Sequence, residues 1–228
     1  MATLIVKDAN GTEQHLLVSG AGTSSDPYIT ITDDIYLETA LGNVVGRVSG
    51  RKFGRNIALT TTERVVSVSS TTTIPYLPTA AQAVEVISTN VNDILAGTGL
   101  AKLYVAGLDA NWNEISETVN MNGTGVQALA NTYTRINRAY GTEFGTYGGA
   151  NLGTITLRVG GAGTTFTTIE IGKSQTQQAH VSVPAGKTLL IEQVHFTVET
   201  TKNVTFSLYQ MTNMNDVSAP YSGGKRLS

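Results

Sequence analysis

Residues 100–121 read LAKLYVAGLDANWNEISETVNM, and this stretch decides the fold. Two strand-like runs, 102–108 and 113–121, lie on either side of Asp109-Ala110-Asn111. Alternating side chains on a pleated backbone point to opposite faces, so such runs joined by a short polar turn specify an antiparallel hairpin. The theme repeats in both directions along the chain. Downstream, 133–144 reads as a strand with a bulge, GTYGGANLG (145–153) as a glycine loop, and 154–160 and 165–172 as strands. Further strands are expected at 176–183, 188–200 (the longest pattern) and 203–211, with a Pro184-Ala185-Gly186-Lys187 turn between the first two. VQALAN (126–131) is read as a helical turn or a link. Upstream, QAVEVIST (82–89) is a strand and 90–99 a loop.

Turn signals recur roughly every 8–12 residues, the spacing of a sandwich or jelly roll. No stretch keeps a helical period over three turns. The expected class is all-β: an antiparallel β-sandwich or jelly roll with an N-terminal β-hairpin and an extended arm. The hairpin is placed at 3–7 and 14–18, around Asn10-Gly11, because a type I′ turn needs positive φ at both central residues. The arm is the run 35–60, where Gly42, Gly46, Gly50 and Gly54 recur every four residues among Arg47, Arg51, Lys52 and Arg55. The expected division is 1–55 for hairpin and arm, 56–212 for the strand-rich body and 213–228 for a mobile polar tail.

Composition narrows the function. The chain has 228 residues, a net charge of −2 and only 14% charged residues. That argues against a dedicated nucleic-acid binder, which needs clustered Lys and Arg for phosphates. No apolar run approaches the ~20 residues that span a bilayer. The opening MATLIVKDANG lacks the plan of a secretory signal. Without cysteine there is no disulfide framework, thiolate zinc site or Cys nucleophile.

Chemistry is sought and not found. His15, His180 and His195 fall on separate strand patterns without metal-site spacing. His195, among apolar neighbours, is expected to be a hydrogen-bonded structural histidine. Glu114 and Glu117 stand at odd separation, face opposite sides and make no glycosidase pair. Asp33-Asp34 reads as a turn, and Asp8, Asn10 and Glu13 lack the spacing of a calcium loop. No Gly-x-Ser-x-Gly elbow occurs. No enzymatic activity, cofactor or metal is therefore expected. The protein-contact candidates are Arg47, Arg51, Lys52, Arg55 and Trp112. The basic residues suit an arm laid on an acidic partner. Trp112 suits either a cap on the core or a contact to protein or sugar.

Three stretches resemble structural proteins of tailed bacteriophages: VKDANGTEQHLLVSGAGTSSDPYI, the run from VISTNVNDILAGTG through GTITLRVG, and VPAGKTLLIEQVHFTVE. The likeness covers most of residues 1–210, and the run from Gly99 to Gly123 is its most distinctive part. It implies a virion component of the capsid decoration (cement) or head-fibre kind, made in the host cytoplasm and seated on the capsid surface. The implied partners are the major capsid protein and further copies of this chain, as a homotrimer. An alternative is a tail, baseplate or receptor-binding component that meets host glycans through Trp112 and the tyrosines. The resemblance carries no catalytic motif to transfer.

Overall fold

The computed structural model describes residues 2–7, 13–19, 29–30, 39–42, 44, 46–56, 65–66, 76–198, 204–211 and 225–227. The chain divides into two compact units, Met1–Arg51 and Lys52–Ser228. Regular structure among the described residues is almost wholly antiparallel strand, joined by long loops.

In the first unit, β1 (Ala2–Lys7) and β2 (Glu13–Ser19) pair antiparallel from Ala2↔Val18 to Lys7↔Glu13. β3 (Ile29–Thr30) adds to β2 through Val18↔Thr30. The expected hairpin is present, and its Asn10-Gly11 turn lies outside the described residues, as does Asp33-Asp34.

The second unit holds two larger sheets. One orders as β10-β9-β4-β7: β4 is Gln82–Ser88, β7 Gln127–Tyr133, β9 Ile155–Val159 and β10 Thr165–Ile169. The other orders as β6-β5-β8: β5 is Leu100–Leu108, β6 Glu114–Asn120 and β8 Arg135–Phe144. The opening hairpin forms as read, with Leu108↔Glu114 closing it and Lys102↔Asn120 at its far end. The two sheets share one core. Val84 and Val86, Leu129 and Tyr133, Ile155 and Leu157, and Phe166 and Ile169 come from the first sheet; Leu103, Val105, Val119, Ile136 and Ala139 come from the second. Burial of these side chains supplies the main driving force, at about 25 cal/mol per Å² of apolar surface.

Residues 126–131 were expected to turn or link, and instead form most of β7. Pairing with β4 through Gln82↔Tyr133 and Val86↔Gln127 overrides the helical preference of the Gln-Ala-Leu-Ala run. β8 carries the expected bulge, and its register against β5 shifts between Ala106 and Gly107. Gly107 is required there. A β-carbon on it would run into the main-chain carbonyl of Arg135 and the ring of Tyr133.

Two carboxylates hold the sheets to each other. Asp93 is wholly buried in the loop after β4. Its Oδ1 accepts the amides of Leu100 (2.8 Å) and Leu152 (2.9 Å). Its Oδ2 accepts the Ser88 hydroxyl (2.6 Å) and the Gly153 amide (2.8 Å). One side chain thus fixes the end of β4, the start of β5 and the approach to β9. Glu117 on β6 accepts the amides of Ala130 (2.8 Å) and Asn131 (2.9 Å) and the Tyr133 hydroxyl (3.0 Å), all on β7 in the other sheet. Burial, and then the Glu117 charge, push the Tyr133 phenol above its ordinary pKa.

The remaining strand expectations fare differently. The runs 176–183 and 188–200 form no strand among the described residues, and of 203–211 only Tyr209–Gln210 (β11) does. Most of the 213–228 tail lies outside the described residues. Lys225–Arg226 (β12) nonetheless pairs with β11 through Tyr209↔Arg226, so the end of the chain is tied back to its own neighbour.

Replacing Asp93 by Ala strands four donors around a buried hole, and we expect it to cost on the order of 3 kcal/mol. Urea denaturation checks this, and a loss below about 1 kcal/mol would contradict the hub role. Gly107→Ala is expected to cost about 1–3 kcal/mol through overpacking against β8. An unchanged denaturation midpoint would show that β8 yields freely there.

Candidate functional site

The hairpin turn builds one side of a charged region of the second unit. Asp109 Oδ1 accepts the amides of Asn111 (2.7 Å) and Asn113 (2.9 Å), an Asx-type turn that closes the loop on itself. Those bonds, the Asn113 amide first, hold the Asp109 carboxyl below its ordinary pKa. The closed loop leaves Trp112 with a φ of 63°, in the left-handed region that non-glycine residues seldom occupy. Trp112 is half-buried, and the Arg135 guanidinium carbon lies 4.9 Å from its ring centroid. That distance is a cation–π contact.

Arg135 begins β8 and is buried. Its Nη1 donates to the carbonyls of Pro78 (2.5 Å) and Thr134 (2.8 Å). Burial pushes its pKa below the ordinary arginine value. Further along β8, the Asn137 side chain exchanges two bonds with the Ser182 main chain, at 2.8 and 2.9 Å. Gln178 Nε2 donates to the Ile136 carbonyl (2.9 Å), and the Thr176 amide to the Ala139 carbonyl (2.9 Å). Side-chain amides therefore do much of the work that a strand ladder would do, which is why 176–183 lies along β8 without becoming a strand.

His180 sits in this segment with Nδ1 buried and no hydrogen-bond partner among the described residues. Burial, and then the charges of Lys52 and Arg135, push its pKa down to about 3. Lys52 is exposed along its length while its ammonium donates to the Asn137 carbonyl. Burial of that end, and then Arg138, lower its pKa to about 8. Arg138 in turn stacks over Tyr140 at 4.6 Å and reaches Gln175 Oε1 at 3.3 Å.

The structure thus gathers Lys52, Arg135, Arg138, His180 and Trp112 along β8. It does not gather all the residues singled out in the sequence. Arg55 is paired with Glu170 at 2.7 Å. Its amide donates to the Gln177 carbonyl (3.2 Å), so the end of the expected arm is laid within the second unit. Arg47 and Arg51 are exposed and belong to the first unit. His195, expected to be structural and bonded, is exposed instead, because no strand forms around it to bury it. Glu114 and Glu117 do face opposite ways, with Glu117 turned inward.

Chemically, this region offers positive charge and an aromatic face. His180 remains neutral at physiological pH, and a base with so low a pKa removes protons weakly there. Among the described residues, no group of three His, Asp or Glu side chains could hold a metal ion, and no helix is long and apolar enough to cross a membrane. Several acidic side chains are engaged internally: besides Asp93, Asp109 and Glu117, buried Glu85 accepts the Ala162 and Gly161 amides at 3.0 Å and the Arg158 Nε at 2.7 Å. The bond from Ala162 leads in holding Glu85 below the ordinary carboxylate pKa. Sequence reading missed Asp93 and Arg135. Their roles come from partners up to 60 residues away, Gly153 for Asp93 and Pro78 (57 residues off) for Arg135. In comparison with known proteins, no family model, no curated protein and no solved structure matches the chain.

His180 gives a pH test. Its depressed pKa means that the unfolded chain binds a proton that the folded chain refuses. Stability should be full above the ordinary value of 6.5 and fall as pH drops toward 3. Between roughly pH 6.5 and 5, before carboxylates titrate, wild type should lose stability and His180→Gln should lose distinctly less. Equal slopes in denaturation at the two pH values would contradict the assignment.

Proposed function

We propose that this chain is a non-catalytic structural protein of a tailed-bacteriophage virion, one that decorates and stabilises the capsid. The observation that carries the reading is the use made of the carboxylates. Asp93, Glu117, Glu85 and Asp109 all accept main-chain amides, so these four carboxylates serve as structural acceptors. A protein so arranged acts through its surface. The resemblance of residues 99–123 and their flanks to phage structural proteins supplies the setting, and a sandwich- or jelly-roll-like packing of the two sheets suits it.

On a shell, the partner is the major capsid protein. A repeated lattice offers many equivalent sites, and multivalent contact makes modest single-site affinity sufficient. The Met1–Arg51 unit, with exposed Arg47 and Arg51, is the gripping element in this reading, and the Lys52–Ser228 unit is the body that it carries.

Deleting residues 1–50 should leave the second unit folded, by circular dichroism and Trp112 fluorescence. Binding to empty capsids of the same phage should fall by more than about tenfold. Undiminished binding by the shortened chain would overturn the assignment of the grip.

A further inference from the structure

Residues 187–198, KTLLIEQVHFTV, fall in the longest strand pattern of the chain, yet they form no strand. Among the described residues, no hydrogen bond reaches the backbone of residues 188–198. Every residue from Lys187 to Thr197 is exposed. Leu190 and Phe196 show 65% and 63% of their surface, and Leu189, Ile191 and Val194 about half of theirs. Among the described residues, Phe196 stacks on Phe206 of the same chain at 4.9 Å.

Such a segment is unfinished. β5 is also rich in apolar residues, and with a neighbour on each side its Leu103 and Val105 are fully buried. The arm has free amides and carbonyls along both edges and apolar side chains on both faces. An exposed strand-forming segment of this kind is a template for pairing with another chain.

We propose that residues 188–198 form a self-association arm, which pairs with the same arm of a second copy of this chain. Three features point to a copy as the occupant. The five large apolar side chains of two arms together expose on the order of 1,000 Å² to water, the scale of surface from which a specific interface is built. Glu192 is the one formally charged side chain of the arm, and an antiparallel pairing centred on Gln193 sets it against Val194 of the other copy, so the two carboxylates do not meet. Both edges are open, so each arm can give and accept the same set of main-chain bonds, as symmetric assemblies require.

Two identical arms can pair over their full length in two ways, parallel in register or antiparallel about the midpoint. Gln193 is the midpoint, and in either alignment it meets its own copy. The chain has no cysteine, so Gln193→Cys places a single thiol in the molecule. The inference needs nothing from the virion reading. Capsid binding and self-association are separate measurements, and each can fail alone.

The test is sedimentation equilibrium of the full chain at micromolar concentration, alongside oxidative cross-linking of Gln193→Cys. The expected mass is a multiple of the 24.0 kDa chain. Leu190→Asp combined with Phe196→Asp should reduce it to one chain, and the cysteine variant should cross-link into covalent pairs. A monomeric wild type would overturn the proposal. So would an assembly that survives the double substitution with its mass unchanged, or one in which the Gln193→Cys chains stay uncoupled. The cross-link keeps the arm testable even if the aspartate variant fails to fold.

Discussion

The buried carboxylate of Asp93 is the constraint on which the second unit depends. An ionised side chain away from water is costly unless its charge is met by donors. Here four donors meet it, from three separate stretches of chain: Ser88, Leu100, and Leu152 with Gly153. The arrangement is all or nothing. If any one stretch moves away, the carboxylate and its remaining donors lose their solvation together. The Asp93 carbonyl also accepts the Gly123 amide at 2.7 Å, which ties in the Asn122-Gly123 turn that follows β6. Both sheets are therefore set in place at one end by one residue.

Asn151 extends the same logic. Buried in the glycine loop before β9, it donates from Nδ2 to the carbonyls of Gly153 (2.7 Å) and Glu170 (2.8 Å), and accepts the Ser174 amide (2.8 Å). Loops rich in glycine have little apolar surface to bury, so polar side chains must order them. The proposed reading draws on this economy: Asp93, Asp109, Glu85 and Asn151 are occupied in holding loops. Among the described residues, the molecule's outward features include the positive charge of Lys52 and Arg138 by β8, the exposed arginines of the first unit and an uncovered apolar arm.

Much of the fold was legible because period-two alternation is a local signal. β4, β5, β6, β9 and β10 follow from it almost residue for residue. β7 was not legible, because Gln, Ala and Leu carry a helical preference and only its pairing with β4 makes it a strand. Residues 188–198 are the converse. Their pattern is that of a strand, but a strand exists only where a neighbour supplies hydrogen bonds, and alternation cannot show whether one is present. The charged region was legible in part. Trp112 and Lys52 stood out by type and position. Arg135, which joins the Trp112 ring to the Pro78 carbonyl, lay hidden in TYTRINRAY because burial of an arginine depends on what folds over it.

Native-state hydrogen exchange tests the central claim most directly, by measuring the amides that Asp93 receives. If the carboxylate holds the two sheets together, the amides of Leu100, Leu152 and Gly153 should exchange only through the opening that frees the centre of β5, with matching protection at Leu103 and Val105. Loop amides that exchange freely while Leu103 and Val105 remain protected would show that the sheets hold without Asp93, and would contradict the account.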